Sequence, residues 1–202
     1  MPAKNQDLHG SAPDKSPVAL LLIDVINDLE FDGGEKAVEH AVPMAEAIAE
    51  LKRRAKDAGI PVVYSNDNYG RWQSNFDRIV DHVLEDGVRG EPLARLLRPD
   101  ADDYFVLKPK HSGFYSTTLE TLLEYLQARR VVLTGLTTNS CVLFTASDAY
   151  MRDLAIFVPE DCVAAESPDE HDHALAQMRR LLKADTRPST ELDLEELTRE
   201  EG

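Results

Sequence analysis

Five short apolar runs alternate along this chain with longer segments in which apolar residues recur at helical spacing. The first run, PVALLLID at 17–24, is almost wholly apolar and ends in a carboxylate, which is typical of a strand buried on both faces. Strands that alternate with helices predict βαβ units and therefore a parallel sheet. We expect strands at 17–24, 61–65, 104–108, 130–135 and 155–159, and helices at 35–59, 76–84, 116–127, 139–154 and 168–183.

This alternation predicts one α/β domain with three layers, α/β/α, in which a Rossmann-like, doubly wound parallel sheet has five or six strands. The length of 202 residues suits one domain, which we place at 17–187. Residues 1–16 are polar and are predicted to form a flexible tail. Residues 188–202 are predicted to form an acidic tail, in which 190–193 could cap a short helix.

Charge and hydropathy exclude several classes of protein. The 22 basic and 37 acidic residues give a net charge of −15, which argues against a nucleic-acid partner. The longest apolar run, 18–23, is far shorter than the ~20 residues of a membrane span, and the N-terminus lacks the apolar core of a secretory signal. We therefore expect a cytoplasmic protein with no membrane partner, whose Cys141 and Cys162 are reduced thiols.

Three chemically competent residues stand at the ends of predicted strands: Asp24, Lys108 and, after a short turn, Cys141. Ligands of an open parallel sheet bind at the carboxyl ends of its strands. A helix N-terminus and a nearby cation both lower the pKa of a thiol, so we expect these two influences on Cys141. Asp24 could accept the thiol proton and return it to a leaving amine, while backbone N–H groups hold an oxyanion.

Each of these residues has a simpler explanation when it is taken alone. Asp24 could be a turn residue, Lys108 a solvated side chain and Cys141 a small packing residue. Lys110 is a rival to Lys108, but it lies beyond the predicted strand. Two hypotheses remain, a cysteine hydrolase of small amides and a non-catalytic Rossmann-like module that binds a small ligand or a partner. The joint occurrence of all three residues favours the hydrolase.

A nucleotide-binding Rossmann protein is a third hypothesis. It requires a glycine-rich turn after the first strand, and the turn that follows Asp24, VINDL, contains no glycine. We therefore set this hypothesis aside.

Three motifs resemble those of the isochorismatase-like cysteine hydrolases, which include nicotinamidases and N-carbamoylsarcosine amidases. They are LLIDVINDLEF at 21–31, VLKPKHSGFYSTTL at 106–119 and VVLTGLTTNSCVLFTASDAYMRD at 131–153. The resemblance extends over residues 17–187. The third motif, a Gly-x-x-Thr-x-x-Cys turn followed by a Thr-Ala-x-Asp-Ala helix, is the most specific of the three.

The resemblance implies that Asp24, Lys108 and Cys141 form a catalytic triad. It also implies a cis peptide bond between Leu136 and Thr137, and an oxyanion hole made of the backbone N–H groups of Thr137 and Cys141. The implied reaction is hydrolysis of an amide or carbamoyl C–N bond of a small molecule through a covalent thioester. The resemblance also implies that this protein forms a homo-oligomer.

Two departures from the family pattern refine this expectation. Ile26 stands where many members have glutamine, two residues after the catalytic aspartate. The stretch 66–72, NDNYGRW, lacks the histidines of the nicotinamidase metal site, so we expect no metal and no other cofactor. Isochorismatases proper lack the nucleophilic cysteine, so Cys141 implies C–N cleavage rather than vinyl-ether hydrolysis.

Asp67, Asn68, Trp72 and Phe114 are our candidates for substrate binding, because aromatic and polar side chains commonly line such pockets. Trp72 and Phe114 have the alternative of core or oligomer contacts. The sequence leaves open the identity of the substrate. It also leaves open whether the 66–102 stretch or a neighbouring subunit closes the pocket.

His171 and His173 invite a metal hypothesis, but two residues apart on a helix they do not face each other. We expect them to be solvated at the start of a helix. Cys162 follows the fifth predicted strand and is expected to be a small buried residue.

Overall fold

The computed structural model describes residue 12 and residues 14–30, 34–70 and 75–199, except for the side chains of residues 36 and 37. The predicted Trp72 contact and most of the predicted N-terminal tail lie outside these ranges. Six strands form the sheet: β1 (Val18–Ile23), β2 (Val62–Asp67), β3 (Tyr104–Lys108), β4 (Arg130–Leu136), β5 (Ala155–Phe157) and β6 (Val163–Ala164). The helices are α1 (Gly34–Asp57), α2 (Phe76–Glu85), α3 (Glu91–Leu96), α4 (Leu119–Leu126), α5 (Leu143–Tyr150), α6 (Pro168–Leu182) and α7 (Leu194–Leu197).

All strand pairs in the sheet are parallel, in the order β3-β2-β1-β4-β5, and β6 pairs with the end of β4. The chain first proceeds from β1 outward to β3 and then returns to the other side of β1 at β4. The direction of winding therefore reverses between β1 and β4, the point where ligands bind in doubly wound sheets. The predicted fold class is confirmed.

Helices cover both faces of the sheet and divide the core into two halves. Leu20 and Leu22 of β1 point into one half, which α1, α2 and α3 cover, while Ala19 and Leu21 point into the other, under α4, α5 and α6. This alternation follows from the period of two in a strand. None of the described helices combines the length and apolar character needed to cross a membrane.

Several element boundaries differ from the predicted ones. Ser116 does not cap a helix: it has φ of +53°, and α4 begins three residues later. The predicted helix at 139–154 is divided into a π-helical turn, Thr138–Val142, and the shorter α5. Helix α3 and strand β6 were not predicted, because elements of six and two residues give too little periodicity.

The described part of the C-terminal segment packs against the domain. Leu192 and Leu194 are buried in the core, and the guanidinium of Arg54 donates hydrogen bonds to the backbone oxygens of Ser189 (2.9 Å) and Leu192 (2.7 Å). The short helix expected here is α7, and the carboxylate of Asp193 accepts a hydrogen bond from the backbone N–H of Glu196. The domain boundaries 1–16, 17–187 and 188–202 stay predictions.

Gly135, near the end of β4, has φ of +106°, and a Cβ built there would lie 2.0 Å from the backbone oxygen of Ile23. We expect Gly135→Ala to lower the free energy of unfolding by about 3 kcal/mol or more, because both the backbone conformation and the contact exclude a side chain. Gly59 is the matched control, since it has φ of +72° with open space around it. Gly59→Ala should cost about 1 kcal/mol in urea denaturation; equal losses for the two variants would contradict this explanation.

Candidate active site

The sheet brings Asp24, Lys108 and Cys141 together at the carboxyl ends of its strands. The ammonium nitrogen Nζ of Lys108 lies 2.7 Å from Oδ2 of Asp24 and 3.6 Å from Sγ of Cys141. Asp24 follows β1 and the cysteine turn follows β4, so these two residues lie on either side of the switch point. The Lys108 side chain is 1% exposed and that of Asp24 is 7% exposed. The cluster is therefore a buried ion pair next to a thiol.

A lysine is needed at this position because β3 lies two strands away from β1. Two strand spacings amount to about 10 Å, a distance that a shorter side chain does not bridge. The Lys108 side chain crosses the end of β2, where Asp67 is its register partner, and its Nζ also donates to the backbone oxygen of Lys110 (3.2 Å). The Lys110 side chain is exposed, so the structure places Lys108, and not its rival, beside the thiol.

The Asp24 carboxylate is held from two sides. Its Oδ1 accepts a hydrogen bond from the backbone N–H of Asp67 (2.8 Å), while its Oδ2 faces Lys108. Burial raises the pKa of Asp24 above its ordinary value, although the Lys108 charge and the hydrogen bonds oppose this effect. For Lys108, burial favours the neutral form, but the nearby negative groups, Asp24 first among them, together outweigh burial and the pKa is raised. A carboxylate with a raised pKa is suited to accept and return a proton.

The turn that carries Cys141 begins with a cis peptide bond between Leu136 and Thr137, at the place that the resemblance implies. The backbone oxygen of Thr137 then accepts hydrogen bonds from the N–H groups of Ser140 (3.0 Å) and Val142 (3.2 Å). The second of these spans five residues and defines a π-helical turn, a feature that is frequent at functional sites. Cys141 is half-buried within this turn.

Lys108 acts to lower the thiol pKa, as expected, but it does not decide the net direction of the shift. Burial raises the pKa of Cys141 to about 12, and the charge of Asp24 raises it further, while Lys108 only partly opposes them. The sulfur is therefore protonated at neutral pH. A thiol of this kind needs an adjacent base, and the Asp24 carboxylate is within hydrogen-bonding reach of it.

Two side chains of α5 attach the loop after β3 to the cysteine turn. The hydroxyl of Thr145 donates to the backbone oxygen of Cys141 (2.7 Å) and accepts from the N–H of Gly113 (3.0 Å). The hydroxyl of Ser112 donates to the Asp148 carboxylate. Thr145 and Asp148 belong to the Thr-Ala-x-Asp-Ala motif, which was visible in the sequence but had been given no role. They fix the Lys108 segment and the thiol relative to each other.

Two of the predicted substrate contacts lie beside this cluster. Asp67 and Asn68 border a cavity of about 380 Å³, together with Gly70, Pro109, Lys110, Tyr115 and Ser116.

Phe114 is instead buried in the core, 5% exposed, and the Arg152 guanidinium lies 4.7 Å from its ring centre. It borders a cavity of about 750 Å³ at the opposite edge of the sheet, where Arg130 and Ala155 begin their strands. The folded loop thus directs Phe114 away from the thiol, and we do not retain it as a substrate contact.

Within the described part of the 66–72 stretch, the side chains of residues 66–68 are already engaged by the backbone and do not fit a metal ion. The Asn66 amide exchanges two hydrogen bonds with the backbone of Ile26. Oδ1 of Asp67 accepts from the N–H of Tyr69, and Oδ1 of Asn68 accepts from the N–H of Gly70. One oxygen of each of these three side chains therefore accepts from a backbone N–H group.

One group of three metal-ligating side chains occurs within the described ranges, Asp100, Asp102 and Asp103. The ammonium of Lys56 lies 2.7–2.9 Å from a carboxylate oxygen of each, so a lysine already provides their positive charge. His171 is half-buried with its Nδ1 3.0 Å from the hydroxyl of Thr138, whereas His173 is exposed. His173 is thus solvated as expected, whereas the expectation for His171 is wrong, because its ring packs against the cysteine turn.

His111 is a residue of the site that sequence reasoning missed. Its Nδ1 lies 3.7 Å from Sγ of Cys141 and 3.2 Å from the hydroxyl oxygen of Ser140. The signal that could have found it is its position in the Lys108 motif, three residues after the lysine.

The electrostatics of the cluster predict how the Cys141 thiol responds to pH. The alkylation rate of Cys141 by iodoacetamide should rise about tenfold for each pH unit up to pH 10, because the thiolate fraction is small throughout this range. Lys108→Met should slow alkylation at a given pH by raising the thiol pKa, and Asp24→Asn should accelerate it by lowering that pKa. Mass spectrometry in a Cys162→Ser background reports Cys141 alone. A plateau of the rate below pH 8 would contradict the raised pKa.

Comparison with known proteins identifies the family of this chain. A family model described as the isochorismatase domain matches residues 18–187. The isochorismatase family protein YaaI of Bacillus subtilis (strain 168), described as uncharacterized, is 41% identical over 171 residues, 85% of this chain and 93% of YaaI. Maleamate amidohydrolase of Pseudomonas putida is 30% identical over 165 residues, 76% of this chain and 75% of that protein. The solved structure of N-carbamoylsarcosine amidase from Thermoplasma acidophilum has a TM-score of 0.68 at 30% identity, and the match covers 87% of this chain and 98% of the amidase chain.

Because the family model matches most of the chain and these relatives agree with it, the chain belongs to the isochorismatase family and is a hydrolase of that family.

Proposed function

We propose that this protein is a cysteine hydrolase that cleaves an amide or carbamoyl C–N bond of a small molecule through a covalent thioester. The observation that carries the proposal is the buried Asp24–Lys108 ion pair, whose ammonium lies 3.6 Å from the sulfur of Cys141. A base, a cation and a nucleophile in mutual contact are the groups that acyl transfer to a thiol requires.

In the first half of the reaction, Asp24 accepts the thiol proton and the sulfur attacks the carbonyl carbon of the substrate. The N–H groups of Thr137 and Cys141 stabilise the negative oxygen, since backbone donors aimed at a developing charge lower the barrier. The C–N bond then breaks, and Asp24 gives its proton to the departing nitrogen. An amine or ammonia leaves, and the acyl group stays on Cys141.

In the second half, a water molecule attacks the thioester carbon while Asp24 accepts one of its protons. The C–S bond breaks, the acid product forms, and the sulfur recovers its proton from Asp24. Lys108 stabilises whichever member of the Asp24–Cys141 pair is negatively charged. The starting state is thereby restored with one water consumed.

The substrate class follows from the chemistry and from the named relatives. Maleamate amidohydrolase and N-carbamoylsarcosine amidase are named for small molecules with an amide or a carbamoyl group. We propose substrates of this kind, bound next to Asp67 and Asn68, where the cavity of about 380 Å³ has room for them. Trp72 stays a predicted contact of the substrate.

The alternative hypothesis is a non-catalytic binding module. Neither the fold nor the relatives favour it, and a binding module gains nothing from a buried ion pair placed against a thiol, because burying two charges is costly.

The predictions about partners and location also stay part of this proposal. We propose a cytoplasmic homo-oligomer, without nucleic-acid or membrane partners and without a cofactor. Cys141 and Cys162 are both free thiols, as expected of a reducing compartment.

A screen of small amides and ureas for ammonia release tests the proposed activity. It should include maleamate, N-carbamoylsarcosine and nicotinamide, each with Cys141→Ala as the control. We expect turnover of at least one compound, its loss in Cys141→Ala, and a decrease of about 10²–10⁴-fold in Asp24→Asn, the usual contribution of a general acid–base group. Full activity of Cys141→Ala would exclude the mechanism.

Chelation tests the predicted independence from metals. Because the oxygens at 66–68 already serve neighbouring backbone groups, protein treated with a chelator and then desalted should retain its full rate of ammonia release. Loss of turnover that zinc or iron restores would contradict this prediction.

A further inference from the structure

His111 lies in the loop after β3 and contacts the cysteine turn from there. Its Nδ1 is 3.7 Å from Sγ of Cys141 and 3.2 Å from Oγ of Ser140. Its ring centre lies 5.4 Å from that of Phe144. Ser140 and Phe144 are four residues apart and so occupy one face of the helical segment, across which the imidazole packs.

The position of His111 is fixed by the residues that follow it. The Ser112 hydroxyl donates to Asp148, and the N–H of Gly113 donates to the Thr145 hydroxyl, which also contacts the backbone of Cys141. The loop is therefore attached to the helix that carries the thiol. The contact between imidazole and sulfur is set by this framework, although His111 itself is exposed.

The Lys108 ammonium is not a hydrogen-bond donor to the sulfur alone, because it also contacts two oxygen acceptors. Lys108 divides its ammonium between Oδ2 of Asp24 at 2.7 Å, the backbone oxygen of Lys110 at 3.2 Å and Sγ at 3.6 Å. Asp24 is the charged group that opposes ionisation of the thiol, and His111 is the further titratable group in contact with the sulfur. A hydrogen bond to the charged form of a group favours that form.

We propose that the Nδ1–H of His111 donates a hydrogen bond to the sulfur of Cys141 and stabilises the thiolate that forms during acyl transfer. This inference rests on the proposed function. In this role the Nδ1–H group has two acceptors in contact, Sγ of Cys141 and Oγ of Ser140. Asp24 still moves both protons of the reaction, so His111 adds no proton transfer to the cycle.

Two amide variants separate this role from simple packing. The side-chain nitrogen of asparagine occupies nearly the place of Nδ1, whereas that of glutamine extends toward the place of Nε2. His111→Asn should therefore retain the donor, while His111→Gln and His111→Leu should lose it. His173→Leu is the matched control, because His173 is an exposed histidine on α6.

The experiment measures the iodoacetamide rate of Cys141 as a function of pH in a Cys162→Ser background, because the displacement of this profile along the pH axis reports the change in thiol pKa between variants. We expect His111→Gln and His111→Leu to raise the pKa and to slow alkylation about tenfold, the equivalent of one pKa unit. His111→Asn and His173→Leu should remain within about threefold of the parent. With an active substrate, kcat should fall in the Gln variant with little change in KM.

Equal thiol pKa values in the Asn and Gln variants, or an unchanged pKa in the Leu variant, would overturn the proposal. These measurements need no substrate, so their outcome is independent of the amidase assay. Continued amide hydrolysis by Cys141→Ala would instead refute the proposed function and leave the hydrogen bond itself measurable.

Discussion

The buried ion pair between Asp24 and Lys108 is the interaction on which the site depends. The pair joins β1 to β3 across the end of β2, so it forms only when all three strands are in their parallel register. Removal of one member of a buried pair leaves an uncompensated charge, which typically costs about 3–5 kcal/mol. Each charge also has a backbone partner that lowers the cost of its burial. The N–H of Asp67 donates to the Asp24 carboxylate, and the backbone oxygen of Lys110 accepts from the Lys108 ammonium.

Burial and the same pair together set the protonation state of the thiol. Because Asp24 is negative and close, Lys108 does not make Cys141 acidic, and burial keeps the pKa of the sulfur at about 12. In the mechanism that we propose, the nucleophile is generated only when Asp24 accepts the proton, which at the same moment releases Lys108 to stabilise the thiolate. Formation of the nucleophile is thus coupled to the arrival of the proton on the group that later gives it to the leaving nitrogen.

The sequence contains enough to predict the fold and the proximity of Asp24, Lys108 and Cys141. Apolar runs that end in Asp24 and Lys108 indicate parallel strands whose carboxyl ends meet, and that rule places the reactive groups on one edge. It does not predict the direction of a side chain in a loop, which depends on the turns around it. Phe114 therefore turned into the core, while His111, in the same loop, turned toward the thiol. The sign of the thiol pKa shift also depends on burial, a property of the folded chain.

The central claim is that Cys141 becomes covalently acylated while Asp24 moves the protons. Intact-mass and peptide mass spectrometry of enzyme quenched during turnover of an active amide tests it most directly. The account predicts an added acyl mass on the peptide that contains Cys141. In the Asp24→Asn variant, the acylated protein should accumulate if hydrolysis of the thioester is slowed more than its formation. Rapid turnover with a modification on Cys162 alone, or with undiminished activity after Cys141 is blocked, would contradict the account.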